Sequence, residues 1–216
     1  MVPQRRQLSF LDRVIGEADT VLRTLACRHR APSRPSPAEG HSDTRLSDHQ
    51  RAHVAALMRV NHTGEVCAQA LYQGQALTAR LSEVREEMRE AAREEADHLA
   101  WCEQRLTELD SRGSDLHPAW YGLSFLLGAT AGAVGDKWSL GFVAATEERV
   151  CRHLRDHLKQ LPDADRKSQL ILQKMLEDEE RHGHNALKAG GAQFPQPVKD
   201  AMTLVSKVMT ESSYWI

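Results

Sequence analysis

Glu95-Ala96-Asp97-His98 and Glu179-Glu180-Arg181-His182 are the two stretches whose reading decides the fold of this 216-residue chain. Each sets a Glu and a His three residues apart, so on a helix both side chains share a face and can reach one ion. The motif alone is weak evidence in a chain with 11 histidines. Its neighbours give it weight. Met88, Ala91, Ala92, Glu95, His98, Leu99, Cys102 and Leu106 fall on one helical face. Leu172, Met175, Leu176, Glu179, His182 and Ala186 fall on another. Both motifs thus lie on stripes that belong in a core. A carboxylate there is costly unless it is paired or binds a metal.

Two further carboxylates follow the same rule. Glu65 shares a stripe with Val54, Met58, Ala68 and Tyr72, and Glu147 with Leu140, Val143, Val150 and Leu154. Glu148 aligns instead with Arg152 and Arg155, and Glu94 with Glu87 and Glu90, so both are assigned to polar faces. Glu65 and Glu95 are 30 residues apart with Arg80 midway; Glu147 and Glu179 are 32 apart with Asp163 midway. Both midpoints fall where a turn is expected. In an antiparallel helix pair, residues equidistant from the turn stand at the same height. The chain therefore reads as two hairpins, each with a Glu on one helix and a Glu-x-x-His level with it on the other.

Working outward, Asp48 is the expected N-cap of a helix running to about Arg80, followed by a second from Ser82 to about Asp110. Residues 118–135 hold no charge and four glycines. A simple hairpin would place the next ligand near residue 130, so this run is expected to be a separate crossover. Helices are then expected from Lys137 to Gln160 and from Asp163 to about Ala189, with Gly190-Gly191 as the stop. The expected organisation is 1–47, an amphipathic helix (8–26) and a Pro-rich linker; 48–190, the bundle; and 191–216, a loop and a short helix. One long crossover between two hairpins is the ferritin-like topology, an all-α four-helix bundle that builds dimetal sites from this ligand set. The expected metal ligands are Glu65, Glu95, His98, Glu147, Glu179 and His182. Four carboxylates balance two divalent ions, whereas zinc would more often take thiolates or three histidines.

Composition narrows the function. A net charge of −2 gives no basic excess for nucleic acid, and 5% aromatic content argues against an all-β fold. Cys27, Cys67, Cys102 and Cys151 form no C-x-x-C pair and are expected as free thiols. No rubredoxin-like cysteine cluster accompanies the site, and no Gly-rich nucleotide motif is visible. His62, His153 and His157 are either satisfied histidines or partners of the site; His184 is expected at the surface. Gly64 either packs a helix or leaves room for a substrate.

Arg59-Val60-Asn61-His62-Thr63-Gly64-Glu65, together with the two Glu-x-x-His motifs and Glu147-Glu148, resembles the demethoxyubiquinone hydroxylases of ubiquinone biosynthesis. The resemblance spans most of residues 48–190; Ser9-Phe10-Leu11-Asp12 also looks like bacterial members. The family pattern often has Asp where Asn61 stands. The resemblance implies two iron ions per chain held by the six residues, with Glu95 and Glu179 bridging. It implies O2 as co-substrate and a polyprenylated quinol as substrate. It further implies peripheral association with the cytoplasmic face of the inner membrane. Reducing equivalents would come from a partner such as a reductase, from the quinol itself, or from NAD(P)H bound without a Rossmann unit. Other ubiquinone-biosynthesis proteins or a second copy of the chain are conceivable partners. The residues alone leave two rivals open: another di-iron role, such as ferroxidase or peroxide reductase, and a non-enzymatic membrane-associated helical adaptor. For 118–135 a single span, a buried crossover and a membrane-surface segment all remain, with Trp120 and Tyr121 favouring the surface.

Overall fold

A computed structural model describes Gly16, Asp19 and residues 32–42 and 45–216. Apart from Gly16 and Asp19, the helix expected over 8–26 lies outside the described residues, as does Cys27. Six helices and no strands occur among the described residues: α1 (Asp48–Thr78), α2 (Ser82–Glu108), α3 (His117–Val134), α4 (Asp136–Gln160), α5 (Arg166–Lys188) and α6 (Gln196–Trp215). Helices α1 and α2 form one hairpin and α4 and α5 the other; α3 is the crossover and lies along α1. The expected four-helix bundle with a crossover is the fold observed.

Local chemistry sets the helix starts, and two differ from expectation. Ser47, not Asp48, caps α1: its hydroxyl accepts from the Gln50 N–H while the Gln50 side chain accepts from the Ser47 N–H. This reciprocal capping box satisfies two otherwise orphaned donors, which a lone Asp cannot do. Helix α5 begins at Arg166 rather than Asp163, because Asp165 accepts from the Ser168 N–H and so fixes the cap. The same carboxylate pairs with Arg105 at 2.9 Å, tying the start of α5 to α2. The C-terminal helix is also longer than a short accessory piece, at 20 residues.

Gly128 and Gly132 of the crossover have a steric explanation, as close neighbours leave no room for a Cβ. A Cβ at Gly128 would collide with the Leu71 backbone, and one at Gly74 with the backbone of Phe125 and Ala129. Helices α1 and α3 therefore touch backbone to backbone. At the end of α3, Gly135 adopts φ +138°, a conformation L side chains rarely take, and the chain enters α4 directly. Asp136 then accepts from the backbone N–H groups of Arg80 and Leu81, at 3.0 and 2.9 Å. The crossover is thus pinned to the α1–α2 turn.

Two apolar slabs fill the bundle. One packs Leu57, Met58, Trp101, Leu106, Leu154 and Leu172; the other packs Tyr72, Val84, Met88, Leu140 and Val143. Along every bundle helix the predicted ligands fall between the two. A polar layer enclosed by apolar layers is shielded from water on both sides, which strengthens electrostatic interactions within it.

Candidate metal centre

All six residues predicted as ligands meet in that layer, and five of them are buried; the His182 side chain is 8% exposed. Their donor atoms form two overlapping groups, Glu65–Glu95–His98–Glu179 and Glu147–Glu179–His182. Glu179 reaches both imidazoles, with Oε1 3.1 Å from His98 Nδ1 and Oε2 3.0 Å from His182 Nδ1. Glu95 does the same from the opposite side, at 3.1 and 3.4 Å. Each imidazole thus turns Nδ1 inward, and two carboxylates span the pair.

The outward nitrogens reveal a feature the sequence reading missed. His98 Nε2 meets Asp178 at 3.1 Å, and His182 Nε2 meets Glu94 at 2.5 Å. The residue just before each Glu-x-x-His motif therefore serves the histidine of the other motif. An anionic partner behind an imidazole fixes its tautomer and raises its basicity as a ligand. Arg181 binds both carboxylates, Glu94 at 2.8 Å and Asp178 at 3.0 Å. Glu94 had been assigned to a polar face, and it does sit at the edge; its role needs a partner helix to become visible.

The stretch read as a linker contributes as well. Arg34 bonds Asp97 through Nε at 2.8 Å and Asp178 through Nη1 at 2.7 Å, and stacks on Trp101 at 4.9 Å. Ser33 adds two bonds to Asp97. Between the two hairpins, the Tyr72 hydroxyl on α1 donates to Glu147 Oε1 on α4. Burial, and then the Glu147 charge, push the Tyr72 hydroxyl well above its ordinary range.

The electrostatics fit a cationic guest. Burial pushes Glu65 and Glu147 well above the usual carboxylate range. Burial opposes ionisation of Glu95 too, but its bonds to His182 and His98 hold it below that range. Both imidazoles are raised despite burial, His98 chiefly by Asp178 and Glu179, His182 by Glu179 and Glu94. Among the buried carboxylate oxygens, Glu147 Oε2 has no hydrogen-bond partner, and Glu65 Oε2 and Glu95 Oε1 have only an imidazole nitrogen 3.4 Å away. Under-satisfied oxygens among four buried carboxylates are what a pair of divalent cations would satisfy. The described cysteines are free thiols, and Cys102 packs on Met175.

An apolar cavity of about 330 Å³ opens beside the site, bounded by Glu65 and Gly64 on α1, Leu123 and Leu127 on α3, and Val198 and Val205 on α6. A Cβ at Gly64 would meet nothing within 4 Å, so this glycine leaves open space rather than packing a helix. His153 lines the cavity, and burial pushes its imidazole down to about 4. His62 bonds His117 at 3.2 Å, away from the six ligands, and His184 is exposed as expected.

The family model described as "Ubiquinone biosynthesis protein COQ7" matches residues 52–213. The chain belongs to that family. Relatives named 3-demethoxyubiquinol 3-hydroxylase include one from Azotobacter vinelandii, 62% identical over 98% of each chain. Another, from Stutzerimonas stutzeri, is 59% identical over the full length of both. Among solved structures, a dodecameric thioferritin, the bacterioferritin-related protein from Bacteroides fragilis, matches with a TM-score of 0.53. It is 18% identical and covers 62% of this chain and 82% of its own, which supports the ferritin-like fold of the family member described here.

Proposed function

We propose that this chain is a 3-demethoxyubiquinol 3-hydroxylase that adds one oxygen atom of O2 to the quinol ring, using two iron ions held by Glu65, Glu95, His98, Glu147, Glu179 and His182. The observation that carries this is the join between a buried six-residue carboxylate–imidazole layer and an apolar cavity that reaches it at Glu65. Iron fits because the donors are carboxylates and imidazoles alone and the carboxylate oxygens leave positions open. Bound ferrous ions would supply the electrons and the site for O2 reduction. The protein's own residues do the rest. Glu95 and Glu179 each offer one oxygen to each side of the site and so suit a bridging role. Asp178 and Glu94 hold the imidazoles, and the apolar slabs exclude water. Insertion of one oxygen while the other leaves as water consumes two electrons and two protons. We assign the reductant to a nicotinamide or a reductase partner outside the chain.

The same reading assigns a membrane surface as the source of substrate. No helix among the described residues is long and apolar enough to cross a membrane. Yet α3 and α6, whose Leu123, Leu127, Val198 and Val205 border the cavity, also expose Leu126, Val134, Leu204, Val208 and Trp215. Exposed apolar side chains on the same two helices that border the cavity suit peripheral docking on a bilayer.

The test is anaerobic ferrous loading, then O2, a reductant and a short-chain demethoxyquinol, read by mass spectrometry. About two irons per chain and a product heavier by one oxygen are expected. Two irons without product would favour a ferroxidase; no bound iron would favour the adaptor. For docking, Leu126→Glu with Leu204→Glu is expected to abolish co-sedimentation with anionic vesicles while leaving iron content intact.

A further inference from the structure

The quinol cavity is apolar, yet one of its deepest wall residues is an amide. Asn61 is 3% exposed and lines the cavity one helical turn from Glu65. Its Oδ1 lies 3.0 Å from His157 Nδ1, while its Nδ2 has no hydrogen-bond partner. A buried donor without a partner is costly, and native structures rarely keep one unless something arrives to use it.

His157 explains why the amide points as it does. It is buried, and burial pushes its imidazole down to about 2, so it is neutral with one ring N–H. That ring packs against His153, with centroids 3.8 Å apart, which restricts its orientation. Oriented with Oδ1 towards His157 Nδ1, the amide leaves its N–H donors as the polar group without a partner.

We infer that Asn61 is the ring-binding residue of this enzyme: its Nδ2–H donates to a ring oxygen of the bound quinoid and so turns the neighbouring ring carbon towards Glu65. This inference rests on the hydroxylase reading and deepens it. The register suits the task. Residues four apart on a helix rise about 6 Å along it, and every other carbon of a 1,4-quinoid ring adjoins an oxygen-bearing one. An oxygen fixed at Asn61 therefore leaves an adjacent carbon facing the metal layer. The opposite wall, on α4, supplies two more unpartnered polar atoms, Thr146 Oγ1 and His153 Nε2, for the remaining ring oxygens.

The test uses full-length, iron-loaded protein held anaerobically. Two probes are titrated calorimetrically: a short-chain demethoxyquinone, whose ring oxygens only accept, and a hydrocarbon analogue lacking them. Asn61→Asp replaces the donor by an acceptor at constant size; Asn61→Leu removes both. Each variant is expected to bind the quinone at least about fivefold more weakly, with two irons retained and the hydrocarbon bound as by wild type. In turnover, Asn61→Leu is expected to raise the quinol KM more than it lowers kcat. A smaller loss of quinone affinity, or an equal loss for both probes, overturns the assignment. Wild-type protein that loads iron but binds neither probe would instead defeat the cavity assignment, and with it the reading on which this one rests.

Discussion

Asp178→Asn isolates the contribution of the carboxylate behind an imidazole. In the folded protein Asp178 is 2% exposed and faces His98 Nε2 at 3.1 Å, with Arg34, Lys174 and Arg181 around it at 2.7, 3.1 and 3.0 Å. The amide keeps the shape but removes the charge that orients His98. Partners of this kind are worth about 10- to 100-fold in metal affinity, or roughly 1.4–2.7 kcal/mol. A stability measurement can detect that loss. Metal at 100 times its Kd stabilises the fold by about 2.7 kcal/mol, and a 30-fold weaker site cuts this to about 0.9. At about 2–4 °C per kcal/mol for a chain of this size, the rise in Tm on metal addition falls from roughly 5–11 °C to roughly 2–4 °C. The assay is anaerobic thermal unfolding of apo-protein with and without ferrous ion, supported by a competition titration against a chelator. Asp97→Asn is the control, since Asp97 binds Ser33 and Arg34 but makes no bond to a ligand imidazole. A correctly folded Asp178→Asn variant with wild-type metal affinity would refute the reasoning.

Gly128→Leu is expected to cost about 1–3 kcal/mol or more by overpacking against the Leu71 backbone, whereas Gly122→Ala, with nothing within 4 Å of its Cβ, should lose nothing; chemical denaturation of both checks this. Asp165→Ala removes the buried one of the two carboxylates on Arg105, leaving Glu108 at 2.9 Å, and strips the cap from α5. Loss of the cap alone is worth about 1 kcal/mol, and loss of the buried bond to a charged group about 1.5–3, so a clear drop in denaturation midpoint is expected. Acid should destabilise the fold through His153 and His157, whose folded values of about 4 and about 2 lie below the ordinary 6.5. Below pH 6.5 the unfolded chain takes up these protons and the folded one does not. Stability therefore falls as pH falls, by up to about 1.4 kcal/mol per unit for each, and the His153 share levels off near pH 4. His153→Gln should flatten the slope between pH 6.5 and 4.

Periodicity and spacing are properties of the chain itself, and they were enough to pick out the six residues that meet in the polar layer. A glutamate on an apolar stripe is conspicuous because the stripe shows which way the helix faces, and equal distances from two turns set the heights. The length of 118–135 and its lack of charge disclosed the crossover for the same reason. What the sequence could not show were relations between helices that no local period encodes. Asp178 and Glu94 look like ordinary acidic neighbours until the hairpins dock and each meets the other motif's histidine. Arg34 sits in a Pro-rich stretch whose local signals say only that it is not helical, yet it reaches a carboxylate 144 residues away. Gly128 reads as a helix weakener until Leu71 lies against it. The cap of α5 is decided by a bond from Asp165, and that carboxylate's position is shared with Arg105 on another helix. The choice of these six residues followed from hydrophobic patterning, which acts along one helix; their mutual orientation, and the cavity beside them, exist only where several helices converge.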